Sequence, residues 1–220
     1  MRRKRMFIAA IPILILFIAI GTVYSLGLFR STPTLTSSEI PKQYMLEVAS
    51  RSNFRQGLNQ CGPYSAAIFL NTFKPTAAIQ PTQFVEQLPW KLPGGYTHPR
   101  ALESLIRKQG VQVQAYNVGA LSDEEKIEFL HQQIASGLPV ILLTYMYDYQ
   151  HYITLLGYDA VKEEFFVYDP VFTRGDAGMT VDENGELPGN RNISDTQLLS
   201  DWSHGGIAGF YTWYLLTTAK

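Results

Sequence analysis

The apolar positions along the chain change character after the first thirty residues. From Phe7 to Phe29 no charged residue interrupts the run, and as a helix those 23 residues span about 34 Å, against about 30 Å for the hydrocarbon core of a bilayer. Arg2, Arg3, Lys4 and Arg5 precede the run and only Arg30 directly follows it, which predicts a cytoplasmic N-terminus and an external remainder. Residues 1–29 therefore read as a membrane anchor. A cleaved signal peptide is the alternative, with a shorter apolar region and a small-residue cleavage site, which Thr22-Val23-Tyr24-Ser25 matches poorly. Residues 30–42 are rich in Ser, Thr and Pro and read as a linker, and residues 43–220 as one domain.

Within that domain the early periodicity is helical. Ala66, Ile68, Phe69 and Phe73 follow Pro63 and precede Pro75, a spacing that starts a helix at or just after Cys61. A short helix is expected over Thr82–Leu88. Another opens at Thr97 and Pro99, with Leu102, Leu105 and Ile106 on one face and Gly110 at its end. Val111–Tyr116 alternates as a strand. Ser122 and Glu125 have capping-box spacing, and the helix they open runs to about Ser136. Strand patterns then dominate, over Val140–Tyr145, Tyr152–Tyr158, Phe165–Tyr168 and Phe210–Thr217, with a short helix led by Ser194 and running through Trp202. Helices first and mostly antiparallel strands later predict an α+β fold of segregated layers.

Composition narrows the function classes. The formal net charge of −1 gives no electrostatic footprint for nucleic acid. The single cysteine excludes an internal disulfide and a Cys-rich zinc site. Walker, HExxH and GxSxG motifs are absent from the sequence, so NTPase, zincin and serine hydrolase readings have no support.

That one cysteine sits where its chemistry changes. At a helix N-terminus the macrodipole and the unpaired N–H groups favour thiolate, the nucleophilic form, and Gly62 lets backbone approach a substrate. The ordinary reading of a lone cysteine is a small buried hydrophobe. Of the four histidines, His131 falls inside a helix on an expected solvated face. His98 starts a helix, where a charged imidazole is disfavoured, and His204 lies in a Gly-rich loop. His151 begins a strand after a polar, aromatic loop. A hairpin symmetric about Ala160 or Val161 brings His151 opposite Asp169 or within two residues of it, close enough for a base and an orienting acid. Asp169 next to Pro170 equally suits a turn, and Asp159 falls in the hairpin turn, far from His151. Gln56, Asn59 and Gln60 precede Cys61, and a side-chain amide there, with the Cys61 N–H, could hold an oxyanion; Gln56 ranks above Gln60. Tyr145, Tyr147, Tyr149 and Tyr152 suggest a groove for apolar peptide, or equally core and rim.

The segment from Gln56 to Ala67, QGLNQCGPYSAA, resembles the nucleophile segment of papain-like (clan CA) cysteine peptidases of family 39. That family includes leader-peptidase domains of bacteriocin-exporting transporters. The run His151-Tyr-Ile-Thr-Leu-Leu-Gly157-Tyr158-Asp159, followed by Val167-Tyr168-Asp169-Pro170, resembles the family's His strand and its Asp-Pro. The resemblance implies Cys61 as nucleophile, His151 as general base and acid, Asp169 as orienter and Gln56 as oxyanion donor. It also implies a papain-like fold with the nucleophile helix packed on an antiparallel sheet, no metal or organic cofactor, and a peptide or protein substrate. In the papain-like pattern the glutamine usually sits about one residue further upstream. The transporter-fused members carry a membrane domain and an ATPase after the peptidase, so export in cis is not expected here. Acyl transfer on the same dyad and an inactive binding module are the alternatives to hydrolysis. An NlpC-type cell-wall peptidase is a further relative from which the CGP context leans away.

Overall fold

The computed structural model describes residues 15, 16, 18, 19, 21, 22, 31, 33, 40–48, 54–73, 79–171, 188–207 and 210–219. Most of the anchor segment lies outside these residues; the six described within it are helical. No helix among the described residues is long and apolar enough to cross a membrane.

Five helices are described: α1 (Cys61–Asn71), α2 (Thr82–Gln87), α3 (Pro99–Lys108), α4 (Asp123–Ala135) and α5 (Asp195–Ser203). The strands are β1 (Gln43–Met45), β2 (Val113–Asn117), β3 (Val140–Met146), β4 (Tyr149–Asp159), β5 (Glu164–Tyr168), β6 (Arg191–Ser194) and β7 (Tyr214–Thr218). They pair antiparallel in the order β2-β7-β3-β4-β5-β6, with β1 added to the far half of β4. The fold is α+β, with the early helices packed against an antiparallel sheet. Ser31, in the stretch read as linker, makes an isolated parallel bridge to Tyr116 at the β2 edge.

Helix α1 is buried over its whole length. Tyr64 and Ile68 enter one core cluster, with Ile153, Leu155 and Trp202, while Ala66, Phe69 and Leu70 enter a second, with Leu102, Ile106 and Leu143. Each fully buried large side chain of this kind stabilises the fold by about 1.5–3 kcal/mol. The helix ends carry their expected signals. Pro99 occupies the first turn of α3, and His98 Nδ1 accepts from Arg100 N–H at 3.1 Å, an acceptor role that requires an unprotonated Nδ1. Ser122 and Glu125 close a capping box on α4. Ser194 Oγ accepts from Gln197 N–H.

Two expectations need correction, and strands β1 and β6 were not expected. β7 begins at Tyr214 rather than Phe210, because Tyr211 and Trp213 hold positive φ and Phe210 bridges back to Ile207. β6 had no period-2 apolar signal; its pairing with β5 makes it a strand. His131 is buried rather than solvated. Its ring stacks on Tyr158 at a centroid distance of 4.0 Å and lies 5.1 Å from Phe165. The α4 face that the polar pattern assigned to solvent is covered by sheet residues.

Burial lowers the His131 pKa to about 4. Between about pH 6.5, the ordinary histidine value, and the folded value, the unfolded chain binds more protons than the native one. Stability supplied by neutral His131 is complete above the unfolded pKa and is lost as pH falls through this window. His131→Phe keeps the stacked ring and removes the titration. Urea unfolding should show the wild type losing on the order of 2 kcal/mol from pH 7 to pH 4 that the variant retains.

Candidate active site

Cys61 is the first residue of α1, after an N-cap, Gln60, whose side chain does not cap the helix. The side chain is buried and the thiol is free. Gly62 is required by close packing: a Cβ there would meet the Thr97 side chain at 2.6 Å. The loop before α1 is held on the end of β5, with Gln56 N–H donating to Pro170 O at 2.7 Å and Tyr168 OH to Phe54 O at 2.6 Å.

His151 sits on β4 with no exposed surface. Its Nε2 is 2.8 Å from Asp169 Oδ1, also fully buried. The hairpin register explains the meeting. Pairing starts at Asp159 with Glu164, and a bulge between Leu155 and Gly157 shifts it so that Thr154 pairs with Tyr168. Extended unshifted, the ladder would set Asp169 opposite Thr154, on the other face from His151. The bulge sets it opposite Ile153, on the same face and diagonal to His151. Gly157 permits the bulge region to lie between two strands, since a Cβ would meet Phe166 at 2.8 Å and Tyr44 O at 2.9 Å.

Ring nitrogen Nδ1 of His151 is buried and makes no hydrogen bond of ordinary geometry among the described residues, and Cys61 is near enough to interact with the ring. Burial alone pushes the His151 pKa down. The hydrogen bond to Asp169 and the interactions with Cys61 outweigh it and raise the pKa to about 9. Asp169 moves the opposite way: burial raises its pKa, but His151, Tyr147 and the Val171 N–H hold it below the usual carboxylate range. An imidazole held protonated between a thiol and a carboxylate can stabilise a thiolate and supply a proton.

Gln56 Oε1 is buried without a partner among the described residues, whereas Gln60 Oε1 accepts from Gly57 N–H at 3.1 Å. Asp159 accepts from Val161 and Lys162 N–H in the hairpin turn, as expected. His204 caps the end of α5 and hydrogen-bonds back to its Ser200 O and Ser203. Among the described residues no group of acidic, His and Cys side chains forms a metal site.

A cavity of about 510 Å³ adjoins Cys61, walled by Leu92, Tyr96, Leu143, Tyr145, Tyr149, Tyr152 and Ile207 among others. Tyr149 and Tyr152 thus line the cleft, as does half-exposed Tyr145, while Tyr147 turns toward Asp169, with its OH 2.6 Å from Oδ2. Sequence reasoning missed this contact and those of Asn190 and Arg191. Asn190 clamps the Asp169 backbone through two 2.8 Å hydrogen bonds, and Arg191 Nη1 reaches Oδ2 at 3.1 Å. No motif near Asp169 announces them.

Residues 43–187 match the model of the Peptidase_C39 like family, more than half of the chain. The chain belongs to this family. It carries a cysteine-peptidase-type, hydrolytic enzyme domain. Among solved structures this C39-like domain is similar to Xylellain, a cysteine protease from Xylella fastidiosa, at TM-score 0.53 and 9% identity over 88% of this chain and 92% of that one. That likeness concerns the fold. The peptidase domain of Streptococcus ComA, a bi-functional ABC transporter involved in quorum sensing, aligns at TM-score 0.49 and 13% identity, over 80% of this chain and 99% of that one. No curated protein matches the chain significantly.

The tight Gly62–Thr97 contact generates a test. Gly62→Ala should destabilise the domain by about 1–3 kcal/mol through overpacking and displace Cys61. Urea unfolding should read the first effect, and slower iodoacetamide alkylation the second.

Proposed function

We propose that this chain is a membrane-anchored, extracytoplasmic cysteine peptidase that hydrolyses peptide or amide bonds with Cys61 as nucleophile, His151 as general base and acid, and Asp169 as the residue that orients His151. The observation that carries the reading is the buried 2.8 Å His151–Asp169 hydrogen bond, with Cys61, the first residue of α1, near enough to interact with the same imidazole. Cys61 thiolate attacks the substrate carbonyl. The oxyanion is met by the Cys61 N–H, left uncapped by Gln60, and by the side-chain amide of Gln56. His151 protonates the leaving amine as the C–N bond breaks, then takes a proton from the water that hydrolyses the thioester. The apolar cleft beside Cys61 suits a peptide presenting apolar side chains.

Iodoacetamide at about pH 6 should alkylate Cys61 much faster than free cysteine, as a cysteine paired with an imidazole for nucleophilic attack does. His151→Ala should slow that alkylation and reduce turnover about 10²–10⁴-fold. Asp169→Asn should affect alkylation less than turnover. A thiol no faster than free cysteine, indifferent to His151, would favour a binding module instead.

The anchor assignment for residues 1–29 rests on their uncharged apolar run and the preceding basic cluster. Protease added to intact cells should remove the domain from the surface. A fully protected domain would overturn the orientation, and a soluble form beginning near Ser25 would replace the anchor with a cleaved signal.

A further inference from the structure

The carboxylate of Asp169 has no exposed surface and takes four donors, as many as an ionised carboxylate has acceptor sites. Oδ1 accepts from His151 Nε2 at 2.8 Å and Val171 N–H at 3.1 Å. Oδ2 accepts from Tyr147 OH at 2.6 Å and Arg191 Nη1 at 3.1 Å, and Arg191 Nη1 also donates to Tyr147 OH. One oxygen therefore serves the histidine, and the other is committed to two side chains from separate elements.

Tyr147 reaches this place from an unusual backbone. With Asp148 it forms the two-residue turn between β3 and β4, at φ 56° and 63°. Such turns favour glycine or asparagine, and a left-handed non-glycine residue costs about 1–3 kcal/mol. The conformation sets the phenol on Asp169 and the ring 5.8 Å from the His151 ring, edge to face.

We infer that Tyr147 and Arg191 are positioning residues of this site: by occupying Oδ2 they fix the Asp169 carboxylate with Oδ1 toward His151, and by sharing its charge they limit how tightly it holds the imidazolium proton. The inference goes beyond the proposed chemistry and depends on it only for its catalytic consequence. A carboxylate stripped of the phenol donor or the guanidinium becomes more basic. Its remaining partner, the imidazolium, is then held harder and gives its proton to a leaving amine less readily. Each variant removes one of the two Oδ2 partners, and the other, with the Val171 N–H and the Asn190 clamp, keeps Oδ1 aimed at His151. The other groups facing the pair are Cys61 from α1, Tyr149 from β4, Tyr168 from β5 and Asp201 from α5, and none of them changes in the variants below.

The test follows the His151 ring directly, without a substrate. The full-length chain in detergent, with ¹⁵N-labelled histidine, is titrated by NMR, and the His151 signals are assigned by their loss in His151→Ala. Tyr147→Phe, which keeps the ring, and Arg191→Gln should each raise the His151 midpoint by about half a unit or more, and Arg191→Lys should restore it most of the way. A role in packing alone predicts no such rise. Midpoints that stay put or fall in both folded variants would overturn the inference. Slow iodoacetamide alkylation of the wild type would count against the peptidase reading alone, since the midpoints report on the carboxylate whether or not Cys61 is reactive.

Discussion

Ser65 ties helix α1 to strand β4 in both directions: its hydroxyl donates to Tyr152 O at 3.1 Å, and its carbonyl accepts from Thr154 Oγ1 at 3.2 Å. Both bonds are buried, where losing a partner costs about 1–3 kcal/mol. Cys61 lies four residues before Ser65, on the same face of the helix, and His151 is the neighbour of Tyr152 on the strand. Fixing Ser65 therefore fixes the thiol relative to the imidazole. Because α1 is buried on every side, between two core clusters, it has no route by which to slide or rotate. The small residues Ala66 and Ala67 belong to the same closely packed stretch.

The charge at the site depends on this rigidity. A buried carboxylate is costly unless its acceptor sites are filled, and Asp169 fills them from the β3–β4 turn, β4, β6 and its own following N–H. Asn190, just before β6, fixes the backbone through its amide. Two strands, a turn and the backbone just past β5 thus converge on one residue at the end of β5. The raised His151 pKa and the lowered Asp169 pKa are two sides of this arrangement.

The cleft is assembled from loops that are themselves tied down. Asn59, at φ 57°, donates to Gly94 O at 2.7 Å and joins the segment before Cys61 to the loop bearing Leu92 and Tyr96. On the far wall, Gln150 Oε1 accepts from Gly206 N–H at 2.7 Å and its amide donates to His204 O at 3.3 Å. Gly205 lies so close to β3 that a Cβ would collide with Leu143 O. Both walls are therefore fastened to the elements that carry Cys61 and His151.

The sequence by itself determined the order of the five helices with β2, β3, β4, β5 and β7, the start of α1 at Cys61, the serine caps of α4 and α5, and the nearness of His151 to Asp169. All of these are short-range: proline and glycine placement, Ser-to-Glu spacing and the span of one hairpin carry them. Only the tertiary structure decided the rest. The bulge at Leu156, which brings His151 and Asp169 to one face, depends on β1 and β5 gripping β4 from either side, and Leu46 N–H bonds the Leu156 carbonyl at 2.8 Å. The burial of His131 depends on what packs over α4, which helical periodicity does not specify. Tyr147, Asn190 and Arg191 reach Asp169 from 22, 21 and 22 residues away. Their side chains carry no local pattern, because the free energy that selects them is that of one buried anion and becomes available only once the sheet has closed around it.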